Sequence, residues 1–126
     1  MIFGIGTDIV AVKRMDGLHE RYGGKLAERL LAPEEWGDYA EAASKEHFLA
    51  KRFAAKEAFA KAVGTGIQAP VSFTSIIVVH NHAGKPGFVY SPELNHWLRA
   101  KGISSVHLSL SDEQDYVVAF AVAEHE

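Results

Sequence analysis

Glu57 and Lys61 lie four residues apart in the alanine-rich run Arg52-Phe53-Ala54-Ala55-Lys56-Glu57-Ala58-Phe59-Ala60-Lys61-Ala62, which closes on Gly64-Thr65-Gly66. In a helix that spacing puts a carboxylate and an ammonium on one face, the acid N-terminal to the base. Taken alone, the pair is a solvated ion pair contributing ~0.2–0.5 kcal/mol. The alanines at 54, 55, 58, 60 and 62 allow a second use, because small side chains let a helix approach another element closely. A partner stands near the N-terminus, where Asp8 interrupts the apolar pattern Ile2-Phe3-Gly4-Ile5-Gly6-Thr7-Asp8-Ile9-Val10. Aspartate is disfavoured inside strands, and a buried carboxylate is costly unless it is paired or holds a metal. Either Asp8 caps the turn at the strand's exit, or it faces a ligand in room left by Gly4 and Gly6 on the same face. If the helix crosses the strand, Asp8 and Glu57 meet. Two carboxylates with phosphate oxygens and water form a hard-cation site suited to Mg²⁺.

Other polar residues are more ambiguous. His107, Ser109 and Ser111 alternate with Val106, Leu108 and Leu110, so the polar three share one face of a strand. That face is either solvated or lines a pocket with donors for phosphate. A serine-hydrolase relay is disfavoured, because no Gly-x-Ser-x-Gly elbow is present. Gly64-Thr65-Gly66 is no Walker loop, since Lys61 precedes the glycines and the loop ends a helix instead of opening one. Arg14, Leu18, Arg21, Lys25 and Arg29 fall near one helical face, interrupted at Gly23-Gly24. This stripe is a solvated face or a docking patch for an acidic partner.

The elements that must position these residues follow from periodicity. Residues 2–10 alternate as a strand. Residues 12–41 form short helices broken at Gly23-Gly24 and Pro33. Ser44 caps a long helix over about 45–63, with Phe48, Ala55, Phe59 and Ala62 on its apolar stripe, Leu49 and Phe53 beside it, and a glycine end. Strands follow over 73–80 and 88–90 around an Asn81–Gly87 turn. Ser91-Pro92 starts a helix that stops at Gly102. Residues 105–111 and 116–123 form a hairpin whose last strand, apolar on both faces, is expected to be central and covered on both sides.

Helices come early and strands late, which indicates an α+β fold in a single domain over residues 1–126. Apolar residues make up 48% of the chain and charged residues 23%, ordinary values for a globular protein. There is no cysteine, which excludes disulfides, thiolate metal sites and a cysteine nucleophile and fits a reducing compartment. No apolar run reaches the ~20 residues that span a bilayer, and no secretory pattern opens the chain. The net charge of −3 does not favour a nucleic-acid partner.

Together these motifs resemble the bacterial holo-acyl-carrier-protein synthase family of 4′-phosphopantetheinyl transferases. The matching blocks are Gly4–Val10 with Arg14, Arg52–Ala58 with Lys61 and Gly64-Thr65-Gly66-Ile67, Gly84-Lys85-Pro86, and His107-Leu108-Ser109, in family order across nearly the whole chain. The resemblance implies a mostly antiparallel sheet packed against a long helix, assembled as a homotrimer with interfacial active sites in the cytoplasm. It implies transfer of phosphopantetheine from coenzyme A to a serine of acyl carrier protein for fatty acid biosynthesis. By carry-over, Asp8 and Glu57 are the catalytic, metal-holding pair for Mg²⁺ or Mn²⁺. Glu57 takes the serine proton directly or through water. Arg52, Lys61, Gly64, Thr65, Gly66, Pro86, His107 and Ser109 bind coenzyme A, and Arg14, Arg21 and Lys25 dock the carrier. Many relatives carry histidine where this chain has Asp112, so Asp112 receives no catalytic role; a place near the phosphate or metal region is one option for it. Two other classes stay open: a non-catalytic coenzyme A binder, which has no need of Asp8, Glu57 and Lys61, and a structural oligomer.

Overall fold

The structure is a computed structural model describing residues 1–126. The chain runs β1 (Ile2–Ala11), α1 (Val12–Tyr22), α2 (Gly24–Leu30), a 3-10 turn (Pro33–Glu35), α3 (Trp36–Glu41) and α4 (Lys45–Ala62). It continues with β2 (Ile76–His80), β3 (Pro86–Tyr90), α5 (Pro92–Ala100), β4 (Ile103–Asp112) and β5 (Tyr116–His125). β1, β5 and β4 form a three-stranded antiparallel sheet in that order, and β2–β3 is a separate antiparallel hairpin.

Helix α4 is the axis of the molecule. The Ser44 hydroxyl accepts from the His47 amide at 3.2 Å and starts it as expected. Its end follows from Gly64, whose φ of 86° lets the chain turn back so that the amides of Gly64, Thr65 and Gly66 all donate to the Ala60 carbonyl. Leu49, Ala54, Ala55, Ala58, Phe59 and Ala60 are fully buried. The alternate residues Val117, Ala119, Ala121 and Ala123 of β5 are also fully buried, on the sheet face that α4 covers. The alanines thus serve the close helix–sheet approach that their size allows.

The contact is closest over β1. A Cβ placed on Gly6 would stand 2.1 Å from the Ala58 carbonyl oxygen, and one on Gly4 would stand 2.1 Å from that of Ala62. The space beside Asp8 is therefore filled by the backbone of α4. This corrects the expectation that the two glycines leave room for a ligand.

β5 is central, as expected, yet only one of its faces is covered. On the opposite face Phe3, Ile5 and Ile9 of β1 and Tyr116 and Phe120 of β5 are exposed, Ile5 and Ile9 at 60% and 64%. β4 contributes Ser105, His107, Ser109 and Ser111 to that same open face. The break at Gly23 falls where the glycine pair predicts, with φ of 54° between α1 and α2.

Candidate active site

Because α4 lies directly on β1, Asp8 and the Glu57–Lys61 face come together. The Lys61 ammonium reaches over β1, donating to the Thr7 carbonyl at 2.9 Å and to Asp8 Oδ1 at 3.1 Å. The Asp8 side chain is 15% exposed and that of Lys61 50%, so the acid sits at the bottom of the site and the base at its rim. Asp8 Oδ2 is buried and has no hydrogen-bond partner in the chain. A carboxylate oxygen in that state is costly, and it is well suited to a cation.

Glu57 completes the arrangement. Burial first, and the charge of Asp8 second, push its carboxyl above the ordinary carboxylate range, while Lys61 pulls the other way. Two neighbouring carboxylates with one ammonium leave the site short of positive charge, and a divalent cation would supply it. The donors are carboxylate oxygens, the chemistry a hard cation takes; the chain holds no group of three or more ligands, so water and substrate oxygens would have to supply the remaining positions.

The remaining expected residues are distributed more widely. Gly64, Thr65 and Gly66 follow Lys61 directly, but their amides already point at Ala60 and the Thr65 hydroxyl donates to the Gly66 carbonyl at 2.8 Å. The loop therefore offers shape and close approach instead of free amide donors. Pro86 opens β3 opposite His80, at the end of the separate hairpin. His107 and Ser109 lie on the open sheet face, on the other side of the sheet from Asp8; His107 Nε2 stands 2.5 Å from Glu124 Oε1. One chain thus does not join them to the carboxylates.

Arg52 is not beside Lys61 either. Its guanidinium is buried, donating to Glu35 Oε2 at 2.8 Å and to the Val78 carbonyl at 3.4 Å, with only an edge near Asp38, Lys51 and His80 at the surface. As a phosphate contact it is already neutralised from within. Lys56 shares the same carboxylate, Glu35 Oε1, and also donates to the carbonyls of Leu30 at 2.8 Å and Phe73 at 2.7 Å. Burial lowers the Lys56 ammonium to about 8 against the opposing pull of Glu35. This Glu35–Lys56–Arg52 network was not found from sequence. The available signal was the i,i+4 pair Arg52 and Lys56 on the same side as Phe59, two cations on a face that had to be buried.

Asp112 is also remote from the carboxylate pair. It bonds His47 and lies 3.4 Å from the Lys51 ammonium. His47 precedes Glu57 by ten positions, about 15 Å of helix, so Asp112 is outside the metal region of its own chain. Partial burial opposes its charge, but the His47 hydrogen bond and the Lys51 charge hold the carboxyl below its usual range.

Arg14, Lys25 and Arg29 do converge. They line a continuous apolar groove between α1, α2 and α4, whose larger part has a volume of about 430 Å³ and includes Leu18, Tyr22, Leu26, Leu30, Phe53 and Phe73. Arg21 lies over the Tyr22 ring, 6.0 Å from its centroid. Sequence reasoning identified the cations and missed the groove between them.

Residues 4–121 match the profile of the 4′-phosphopantetheinyl transferase superfamily. The holo-[acyl-carrier-protein] synthase of Neisseria meningitidis serogroup A is 57% identical over 124 residues, 98% of this chain and 99% of the relative. That of Nitrosomonas eutropha is 53% identical over the same shares. Among solved structures, the Neisseria meningitidis synthase superposes with a TM-score of 0.96 at 56% identity, covering 98% of this chain and 99% of the other. The Bacillus anthracis synthase in complex with CoA (3′,5′-ADP) superposes at 0.84 with 37% identity, covering 100% and 99%.

Proposed function

The chain belongs to the 4′-phosphopantetheinyl transferase superfamily, and from that premise we propose how its own residues carry the reaction. The reaction is transfer of the 4′-phosphopantetheine group from coenzyme A to a serine of apo acyl carrier protein, with release of adenosine 3′,5′-bisphosphate. A P–O bond of the coenzyme A pyrophosphate breaks, the serine oxygen bonds to the phosphorus of the arm, and the serine proton must be removed.

We propose that Asp8 and Glu57 hold a divalent cation, Mg²⁺ or in its place Mn²⁺. The observation that carries this reading is the buried, unpartnered Asp8 Oδ2 beside Glu57. A bound cation neutralises pyrophosphate charge in the transition state. Lys61, half-exposed at the rim, contacts a phosphate oxygen while its bond to the Thr7 carbonyl keeps the ammonium in place. Glu57 accepts the serine proton directly or through a water. Arg14 and Lys25, which line the α1–α2 groove, and Arg21, which lies over Tyr22 beside it, dock an acidic carrier.

The chain is proposed to form a homotrimer through its open sheet face. Support comes from the exposed Phe3, Ile5, Ile9 and Phe120 on one continuous surface. In such an assembly His107 and Ser109 serve the nucleotide side of a neighbouring copy's site. We assign the activity to the cytoplasm and to fatty acid biosynthesis; no helix is long and apolar enough to cross a membrane.

The decisive experiment weighs apo carrier protein before and after incubation with the chain and coenzyme A. A gain of one phosphopantetheine mass is expected with Mg²⁺, its loss after chelation and dialysis, and its return on adding Mg²⁺ back. Full transfer without any divalent cation would refute the metal reading. Absence of transfer under every condition would leave a binding module.

A further inference from the structure

Lys56 and Glu57 are consecutive residues of α4, about 100° apart around its axis, so they meet different neighbours. Glu57 faces Asp8, and Lys56 is fully buried. The three hydrogens of its ammonium have three acceptors: Leu30 carbonyl at the end of α2, Phe73 carbonyl in the loop before β2, and Glu35. Two of these acceptors belong to walls of the cationic groove. Leu30 and Phe73 both line it, and the Phe73 ring is stacked on Phe53 of α4 with 5.6 Å between centroids. One ammonium therefore ties both groove walls to the helix that carries Glu57 and Lys61.

We propose that Lys56 is a positioning residue that sets the register between the carrier-protein groove and Glu57; this rests on the reading of the groove as the docking surface. A carrier seated between Lys25, Arg29 and Phe53 presents its serine at a fixed offset from the groove walls. The offset matters because near-attack geometry is lost with displacements of about 1 Å. Glu35 accepts from Lys56 and also holds Arg52, the Val78 amide and the Ala32 amide, and its carboxylate bonds no groove-lining residue.

The test compares Lys56→Met, Glu35→Gln and Phe73→Ala in steady-state assays, each at a temperature where circular dichroism shows it folded. Lys56→Met and Phe73→Ala are expected to raise the carrier-protein KM at least tenfold, with the coenzyme A KM within twofold of the parent. Glu35→Gln is expected to lower Tm with the carrier KM within twofold. If Lys56→Met does not fold, Lys56→Gln, which also leaves Glu35 paired with Arg52, replaces it with the same expectation. Equal losses for both substrates, or a Glu35→Gln carrier KM raised as far as that of Lys56→Met, would show a merely structural lysine and overturn the proposal. Charge reversal at Arg29 separates the two levels. If Arg29→Glu leaves the carrier KM unchanged, the docking reading fails; if it raises that KM while Lys56→Met spares it, only the positioning role fails.

Discussion

Replacing Glu57 by glutamine is expected to make the metal-free protein more stable while nearly abolishing its activity. The Glu57 carboxyl is raised above its ordinary range by burial and by Asp8. Its neutral form is therefore favoured by the fold. No penalty exists below the unfolded carboxylate pKa of about 4.3, and the penalty develops as pH rises through the raised folded value. At pH 7.5 glutamine removes it. The carboxyl is partly open to solvent, so screening limits the gain to about 0.5–1 kcal/mol. For a domain of this size that corresponds to a Tm increase of about 2–5 °C, measured by calorimetry in chelator. At pH 4 the two proteins should melt together. With excess Mg²⁺ the order should reverse, because the parent gains about 2.7 kcal/mol at a concentration 100 times its Kd and the variant gains less. Turnover should fall by about 10²–10⁴. A variant that melts below the parent in chelator would refute the reasoning, as would one with the same Mg²⁺-dependent increase in Tm.

Three further outcomes are expected. Charge reversal at Arg14 or Lys25 should raise the carrier KM about tenfold and leave coenzyme A kinetics intact, and the parent's carrier KM should climb with salt between low and physiological ionic strength; a salt-independent KM would remove the electrostatic docking reading. Gly6→Ala places a methyl against the Ala58 carbonyl and Lys61 Cβ, so urea unfolding should show a loss of about 1–3 kcal/mol or more, and activity should fall as Lys61 is displaced from Asp8. Phe120→Arg, on the open sheet face, should give monomers by analytical ultracentrifugation and little transfer activity; an active monomer would place the complete site within one chain.

Asp8 stood out as an aspartate inside a strand pattern, whereas Glu57 and Lys61 read alone as a solvated ion pair, and only Asp8 and the family-like motifs beside them singled out Glu57. The helix boundaries were legible for equally local reasons, since Ser44, Ser91 and the terminal glycines act within a few residues. Glu35 gave no such signal: its partners lie 17 and 21 residues away, and only the packing of the 3-10 turn against α4 shows that its charge is matched. The buried pairing of Arg52 was invisible for the same reason. The fate of Gly4 and Gly6 also required the fold. A missing side chain permits a ligand or a backbone equally, and here the backbone of α4 takes the space. The open face of β5 looked like a doubly covered strand because composition records hydrophobicity and not which surface supplies the cover.

The different directions of Lys56 and Glu57 around α4 constrain how this chain can change length. Each residue inserted into a helix rotates everything beyond it by about 100°. One residue added between Arg52 and Lys61 would turn either the buried lysine or the half-buried carboxylate away from its partners. Tolerance to insertion and deletion should therefore be nearly zero across α4. Engineers and natural variation should meet the same barrier along the helix.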